Sequence, residues 1–174
     1  RISARLTLMW VPYQEVCTHR WECNAALRRL AGETLVVLKG LTMKYLVTAA
    51  GGHLGRLAVE ALVSRGVDPS DIVAGARSPE KVADFAGRGI AVVEIDYDRP
   101  ETIASALEGV DRVLLISGSV PGARVAGHEN VIRAAHAAGV DRLVYTSAPQ
   151  ATTFDYALGA DHRATEAVIA ATGI

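Results

Sequence analysis

The residues able to do chemistry in this 174-residue sequence begin with Gly51, Gly52, His53, Leu54 and Gly55. They follow the apolar run Tyr45-Leu46-Val47, through Thr48-Ala49-Ala50, and precede a helical pattern at Leu57, Ala58, Ala61 and Leu62. A buried strand that feeds a glycine turn opening a helix leaves backbone N–H groups unpaired at the positive end of the helix dipole. That is a site for a phosphate anion. The spacing of Gly52 and Gly55 lets the backbone approach a pyrophosphate and the helix pack closely on the strand. A glycine turn alone also serves as plain strand–helix punctuation. Arg77 sharpens the reading: it ends a second apolar run, Ile72-Val73-Ala74-Gly75-Ala76. It lies roughly 20 residues beyond the glycines, where a dinucleotide site carries an acid for a ribose hydroxyl or an arginine for a 2′-phosphate. Ser78 and Lys81 stand close behind it. Cations there gain charge-assisted hydrogen bonds from a phosphate, whereas a carboxylate would repel it. The combination predicts NADP(H) rather than NAD(H).

Alternating strand and helix patterns position these groups. Strands are expected over 44–48, 71–76, 90–95, 112–116 and 142–146, and helices over 54–65, 79–85, 100–108, 123–138 and 159–171. Ser78 is the expected N-cap of the second helix, with Pro79 at its first position. Alternating units with nearly continuous apolar strands predict an α/β fold, a doubly wound, Rossmann-like parallel sheet of order 3-2-1-4-5. The sequence is expected to stop before a sixth strand. Ligands in such sheets sit at the carboxyl ends of the strands, near the reversal of strand order. The strand-end clusters are Thr48 to Gly55, Ala76 to Ser78, Asp96-Tyr97, Ser117-Gly118-Ser119 and Thr146-Ser147. Together they are expected to line a cofactor cleft. Tyr45, Tyr145 and Phe85 read as core or strand residues.

A net charge of −1 offers no basic surface to a nucleic acid, and no apolar run reaches the 18 or so residues of a membrane span. Composition changes at Met43. Residues 1–42 hold six Lys/Arg against three Asp/Glu, and the remainder holds twelve against sixteen. Cys17, Cys23, Trp10 and Trp21 all precede Met43, and neither residue type recurs after it. Residues 1–42 are therefore expected to be a dispensable leader, either upstream sequence or an unrelated extension, ahead of a cofactor domain over 43–174. Leu35-Val36-Val37-Leu38 is too short for a signal-peptide core. A transit peptide is a weaker alternative, and Cys17, His19 and Cys23 lack the fourth ligand of a metal site. A folded part without cysteine points to the cytoplasm.

From Met43 onward the sequence resembles the NmrA-like, atypical short-chain dehydrogenase/reductases, on the side of the bacterial NADPH-dependent quinone oxidoreductases of type two. The resemblance is carried by the glycine turn, Arg77-Ser78-Pro79-Glu80-Lys81, Asp96-Tyr97 and Leu114-Leu115-Ile116-Ser117. It continues through His128-Glu129-Asn130-Val131-Ile132, Tyr145-Thr146-Ser147, His162 and Thr165-Glu166. It implies an NADP(H)-binding fold whose substrate lobe lies mostly beyond Ile174, and an oxidoreductase passing hydride from NADPH to a quinone or a similar conjugated acceptor. Relatives include triphenylmethane dye reductases and redox-sensing regulators without turnover, and both stand as alternatives.

Two departures accompany the resemblance. Ala49 stands where the family places the first glycine of its turn, and the Tyr-x-x-x-Lys pair of ordinary short-chain dehydrogenases is absent. His162 takes the lysine position. It is the candidate catalytic residue, expected to hold the nicotinamide ribose or to donate a proton. The resemblance places Asp96 on the adenine side. His53 is a candidate phosphate contact, and His128 is expected to stabilise the loop before the long helix. The expected partner is a small-molecule acceptor, with homodimerisation left open.

Overall fold

A computed structural model describes residues 42–149, 151 and 157–174. The expectations for the leader, its cysteines included, lie outside the described residues apart from Thr42. Five strands form one parallel sheet in the order β3-β2-β1-β4-β5: β1 Tyr45–Val47, β2 Ile72–Ala76, β3 Ala91–Glu94, β4 Arg112–Leu115 and β5 Arg142–Tyr145. Its register sets Leu46 beside Val73 on one flank and Val113 on the other. The helices are α1 His53–Ser64, α2 Ala83–Ala86, α3 Pro100–Ala106, α4 Arg124–Ala137 and α5 Ala157–Thr172. The expected fold and strand order are those observed.

Strand periodicity explains the two cores. Successive side chains point to opposite faces. Leu46, Val73, Val113 and Leu115 accordingly pack with Ile103 and Leu107 near α3 and with Val131 and Ile132 of α4. Val47, Ile72, Ala74 and Ala76 pack on the other face with Val59 of α1 and Phe85 of α2. Burying each large side chain of this kind contributes about 1.5–3 kcal/mol. At β5 the double cover ends: Leu143 is buried, and its neighbour Val144 is exposed.

The second helix differs from expectation. Pro79–Val82 is a 3-10 turn, and only Ala83–Ala86 is α-helical. Ser78 occupies the cap position, yet its hydroxyl makes no capping bond. The turn is held from outside instead. Arg56 of α1 donates to Asp84 at 2.6 Å and 3.2 Å and to the Lys81 carbonyl at 2.8 Å, with its guanidinium over the Phe85 ring. A cross-element clamp has replaced the local cap.

Candidate dinucleotide cleft

The cleft opens at the carboxyl ends of the strands, where β1 separates two halves wound in opposite directions. Its floor is the turn between β1 and α1. Gly52 is the N-cap of α1, makes no side-chain cap, and is followed by a first turn without acidic residues. The first helical N–H to find an acceptor in the turn is that of Arg56, on the Gly52 carbonyl at 3.0 Å. The N–H groups of His53, Leu54 and Gly55 thus lie before the intrahelical ladder begins. Gly55 is needed for the helix to sit so close. A Cβ there would lie 2.3 Å from the Ala49 carbonyl oxygen and 2.7 Å from the Ala50 Cα.

Ala49 is the strained residue of the floor. Its φ is +50°, in the left-handed region that disfavours a Cβ. The turn is closed by Gly52 N–H donating to the Ala49 carbonyl at 2.9 Å, and Ala50 N–H donating to Gly75 at 2.8 Å. These bonds hold the alanine in a conformation that glycine adopts freely.

Beyond β2 the wall carries Arg77, Ser78 and Lys81, and beyond β3 it carries Asp96, Tyr97 and Asp98. Arg77 and Lys81 are exposed, and neither has an ion-pair partner among the described residues. Across β1 the opposite wall is the loop Ser117-Gly118-Ser119 and the start of α4. The cavity between these walls measures about 580 Å³. Of the predicted residues, Gly51, Gly52, His53, Leu54 and Gly55 line it, together with those just named on both walls.

Thr48, Thr146, Ser147 and His162 do not line it, because their polar atoms bond other parts of the protein. Thr48 is fully buried, and its Oγ1 accepts from Ile116 N–H at 3.0 Å while lying 2.5 Å from the Tyr97 hydroxyl and 3.1 Å from the Leu114 carbonyl. Thr146 Oγ1 accepts from Ser117 N–H at 2.8 Å. The Ser147 hydroxyl bonds the Glu166 carboxylate. His162 is 5% exposed and its Nδ1 meets the Tyr145 hydroxyl at 2.7 Å. Tyr145, read from the sequence as a plain strand residue, is therefore one half of a polar pair.

That pair ends a ladder of four rings behind the cleft: Tyr97, His128, Tyr145 and His162, with successive centroids 6.0, 5.4 and 5.7 Å apart. Tyr97 reaches inward, donating to the Ile116 carbonyl at 2.8 Å, and burial pushes its phenol up to about 12. His128 Nε2 accepts from Gly118 N–H at 2.8 Å, which leaves Nδ1 to carry the proton toward Thr165 Oγ1 at 3.0 Å. Burial first, then the charges of Arg124 and His162, push His128 down to about 4. His162 is lowered, and the Tyr145 phenol raised, chiefly by burial. The ladder is thus uncharged near neutrality, and its Tyr97 and His128, with Thr48 after β1 and Thr146 after β5, pin the loop over 116–118. His128 serves that loop as expected.

One lining residue carried no signal in spacing or motif. Arg124 opens α4, exposes only 6% of its side chain, and lies 3.3 Å from Asp161 of α5 through its Nε. That Nε has no hydrogen-bond partner among the described residues. Its place at the carboxyl end of β4, matching the glycine turn after β1, was the available clue. The described residues hold no His/Cys/Asp/Glu cluster able to bind a metal and no helix long and apolar enough to cross a membrane.

The arrangement can hold an elongated anion. Among the described residues, amides without a partner sit at its middle and cations without an ion pair at one end, and a glycine stands where a Cβ would collide with the floor. Comparison with known proteins agrees. Quinone oxidoreductase 2 of Escherichia coli is 43% identical over 128 residues, covering 74% of this chain and 44% of that protein. An NmrA-like family domain-containing oxidoreductase of Aspergillus flavus is 36% identical over 111 residues, covering 62% of this chain and 36% of that one. Among solved structures, the NADPH complex of an NADPH-dependent quinone oxidoreductase from E. coli matches with a TM-score of 0.71 at 42% identity, over 75% of this chain and 46% of that one. A Citrobacter triphenylmethane reductase complexed with NADP(H) matches with a TM-score of 0.72 at 36% identity, over the same shares. The chain thus spans less than half the length of these relatives. Residues 49–174 match the NAD(P)H-binding family, a span that contains every residue lining the cleft, and the chain belongs to that family.

Proposed function

We propose that this chain binds NADP(H) in the cleft and serves hydride transfer from NADPH to a quinone or a similarly conjugated small-molecule acceptor, in the cytoplasm. One observation carries the cofactor assignment: Arg77 and Lys81 line the cleft beyond β2 with no ion-pair partner among the described residues. A 2′-phosphate supplies the missing counter-charge, and NADH has nothing to offer there. The relatives that are complexes with NADPH or NADP(H) support the same reading.

Bound nicotinamide supplies the hydride, and the chain supplies position. The amides of His53, Leu54 and Gly55 hold a phosphate, and Arg77 with Lys81 fixes the adenosine end. The pinned loop over 116–118 gives the opposite wall a fixed shape. Tyr97 is the tyrosine lining the cleft, and its hydroxyl is committed to Ile116 and Thr48. Among the described residues no free phenol lines the cleft, and acceptors that delocalise the incoming charge suit such a wall better than simple ketones.

The test is NADPH titration of the chain, followed by the fall in absorbance at 340 nm with a panel of quinones. Saturable binding and quinone-dependent NADPH consumption are expected. Binding without consumption would keep the NADP(H) assignment and count against quinone reduction by this chain, and absence of binding would remove the assignment altogether.

A further inference from the structure

Arg124 is the one charged side chain among the described residues of the cleft wall that is nearly buried, and it has no part in the phosphate contacts of α1 and Arg77. Burying a guanidinium costs free energy unless the charge and its five donors are answered. Here the answer is partial. Asp161 Oδ2 lies 3.3 Å from Nε, yet Nε makes no hydrogen bond, and the same carboxylate oxygen already accepts from Gly122 N–H at 2.7 Å. Asp161 therefore ties the loop before α4 while only balancing the arginine's charge.

Topology says which ligand group would complete it. Arg77 follows β2 and Arg124 follows β4, on opposite sides of β1, with the amide end of α1 between them. A dinucleotide whose 2′-phosphate rests on Arg77 and whose adenosine-side phosphate rests on α1 must continue toward β4. Its second backbone phosphate, on the nicotinamide side, then approaches the wall that contains Arg124. Resting on the NADP(H) reading, we propose that Arg124 binds the nicotinamide-side phosphate of the dinucleotide. Two anionic phosphates joined by one oxygen are thereby met from two directions, by the dipole of α1 and by a guanidinium held ready at the start of α4.

The test compares two ligands by titration calorimetry on the 174-residue chain. NADPH carries both backbone phosphates, whereas adenosine 2′,5′-bisphosphate carries only the 2′-phosphate and the adenosine-side phosphate. Arg124→Gln is expected to weaken NADPH by about tenfold or more, the worth of a charged hydrogen bond, and to leave the bisphosphate unchanged. Retained bisphosphate binding also shows that the variant is folded. Asp161→Asn keeps an acceptor for Gly122 but removes the counter-charge, and is expected to leave NADPH binding equal or tighter. Equal loss of both ligands in Arg124→Gln and Asp161→Asn would mean that the pair only braces α4 against α5, and would overturn the proposal. So would NADPH affinity unmoved by Arg124→Gln. Failure of the unmutated chain to bind either ligand would instead refute the NADP(H) reading, and this inference with it.

Discussion

Ala49 holds its backbone at φ +50° because the chain must turn there to bring Gly52 N–H onto its carbonyl. A left-handed alanine costs about 1–2 kcal/mol, of which glycine's greater freedom in the unfolded chain returns a part. Ala49→Gly should therefore raise stability by roughly 0.5–1 kcal/mol in urea denaturation and leave NADPH affinity equal or higher. A loss of stability would show that the methyl packs usefully against the core beneath α1. The first-position alanine was visible in the sequence, but its dihedral was not. Spacing reports that a turn exists, and only the closed hydrogen bonds report how tightly it is wound. Arg124 escaped for a related reason: a single arginine at a helix start has no partner at fixed sequence distance, and Asp161 reaches it only after the crossover through β5.

At the scale of elements, Thr48 joins three pieces of the fold: its own strand end, the end of β4 and Tyr97 beyond β3. Thr48→Val keeps the shape and removes the hydroxyl, leaving the buried Ile116 N–H without its acceptor. A stranded buried donor costs about 1–3 kcal/mol, and Thr48→Val should lower stability by that amount. Hydrogen exchange at Ile116 and Ser117 should accelerate with it; unchanged protection there would mean that β4 is held by the sheet alone. The strands were legible because each is a short apolar run ending in small or polar residues, a pattern that survives without tertiary context. Thr48, Thr146 and Ser147 show where legibility stopped. The sequence puts them at strand ends, yet whether a hydroxyl turns to the cleft or to the neighbouring strand depends on register. The capping of Ser78 was overridden in the same way, by Arg56 reaching across from α1.

For the molecule as a whole, the four-ring ladder ties both halves of the sheet to α5 and makes stability depend on pH. His128 is uncharged when folded and falls to about 4, whereas the free imidazole titrates near 6.5. Above 6.5 neither state binds the proton, and the full stability is present. As pH falls from about 6.5 toward 4, the unfolded chain takes up a proton that the folded one refuses, so stability declines by up to about 3 kcal/mol. Below 4 this contribution has been lost and the decline from it ends. His128→Gln, which removes the titration, should flatten the melting temperature between pH 4 and 6.5 relative to the unmutated protein. An equally steep decline in the variant would assign the effect elsewhere.

If this cleft selects NADP(H), Arg77→Ala should separate the two cofactors. NADPH and NADH are titrated against both proteins at one ionic strength, because screening would otherwise blur a contact at an exposed cation. A guanidinium facing a 2′-phosphate predicts that NADPH binding weakens by about 2–5 kcal/mol, while NADH, lacking that phosphate, binds as before. Equal weakening of both cofactors, or of neither, would mean that Arg77 does not read the 2′-phosphate.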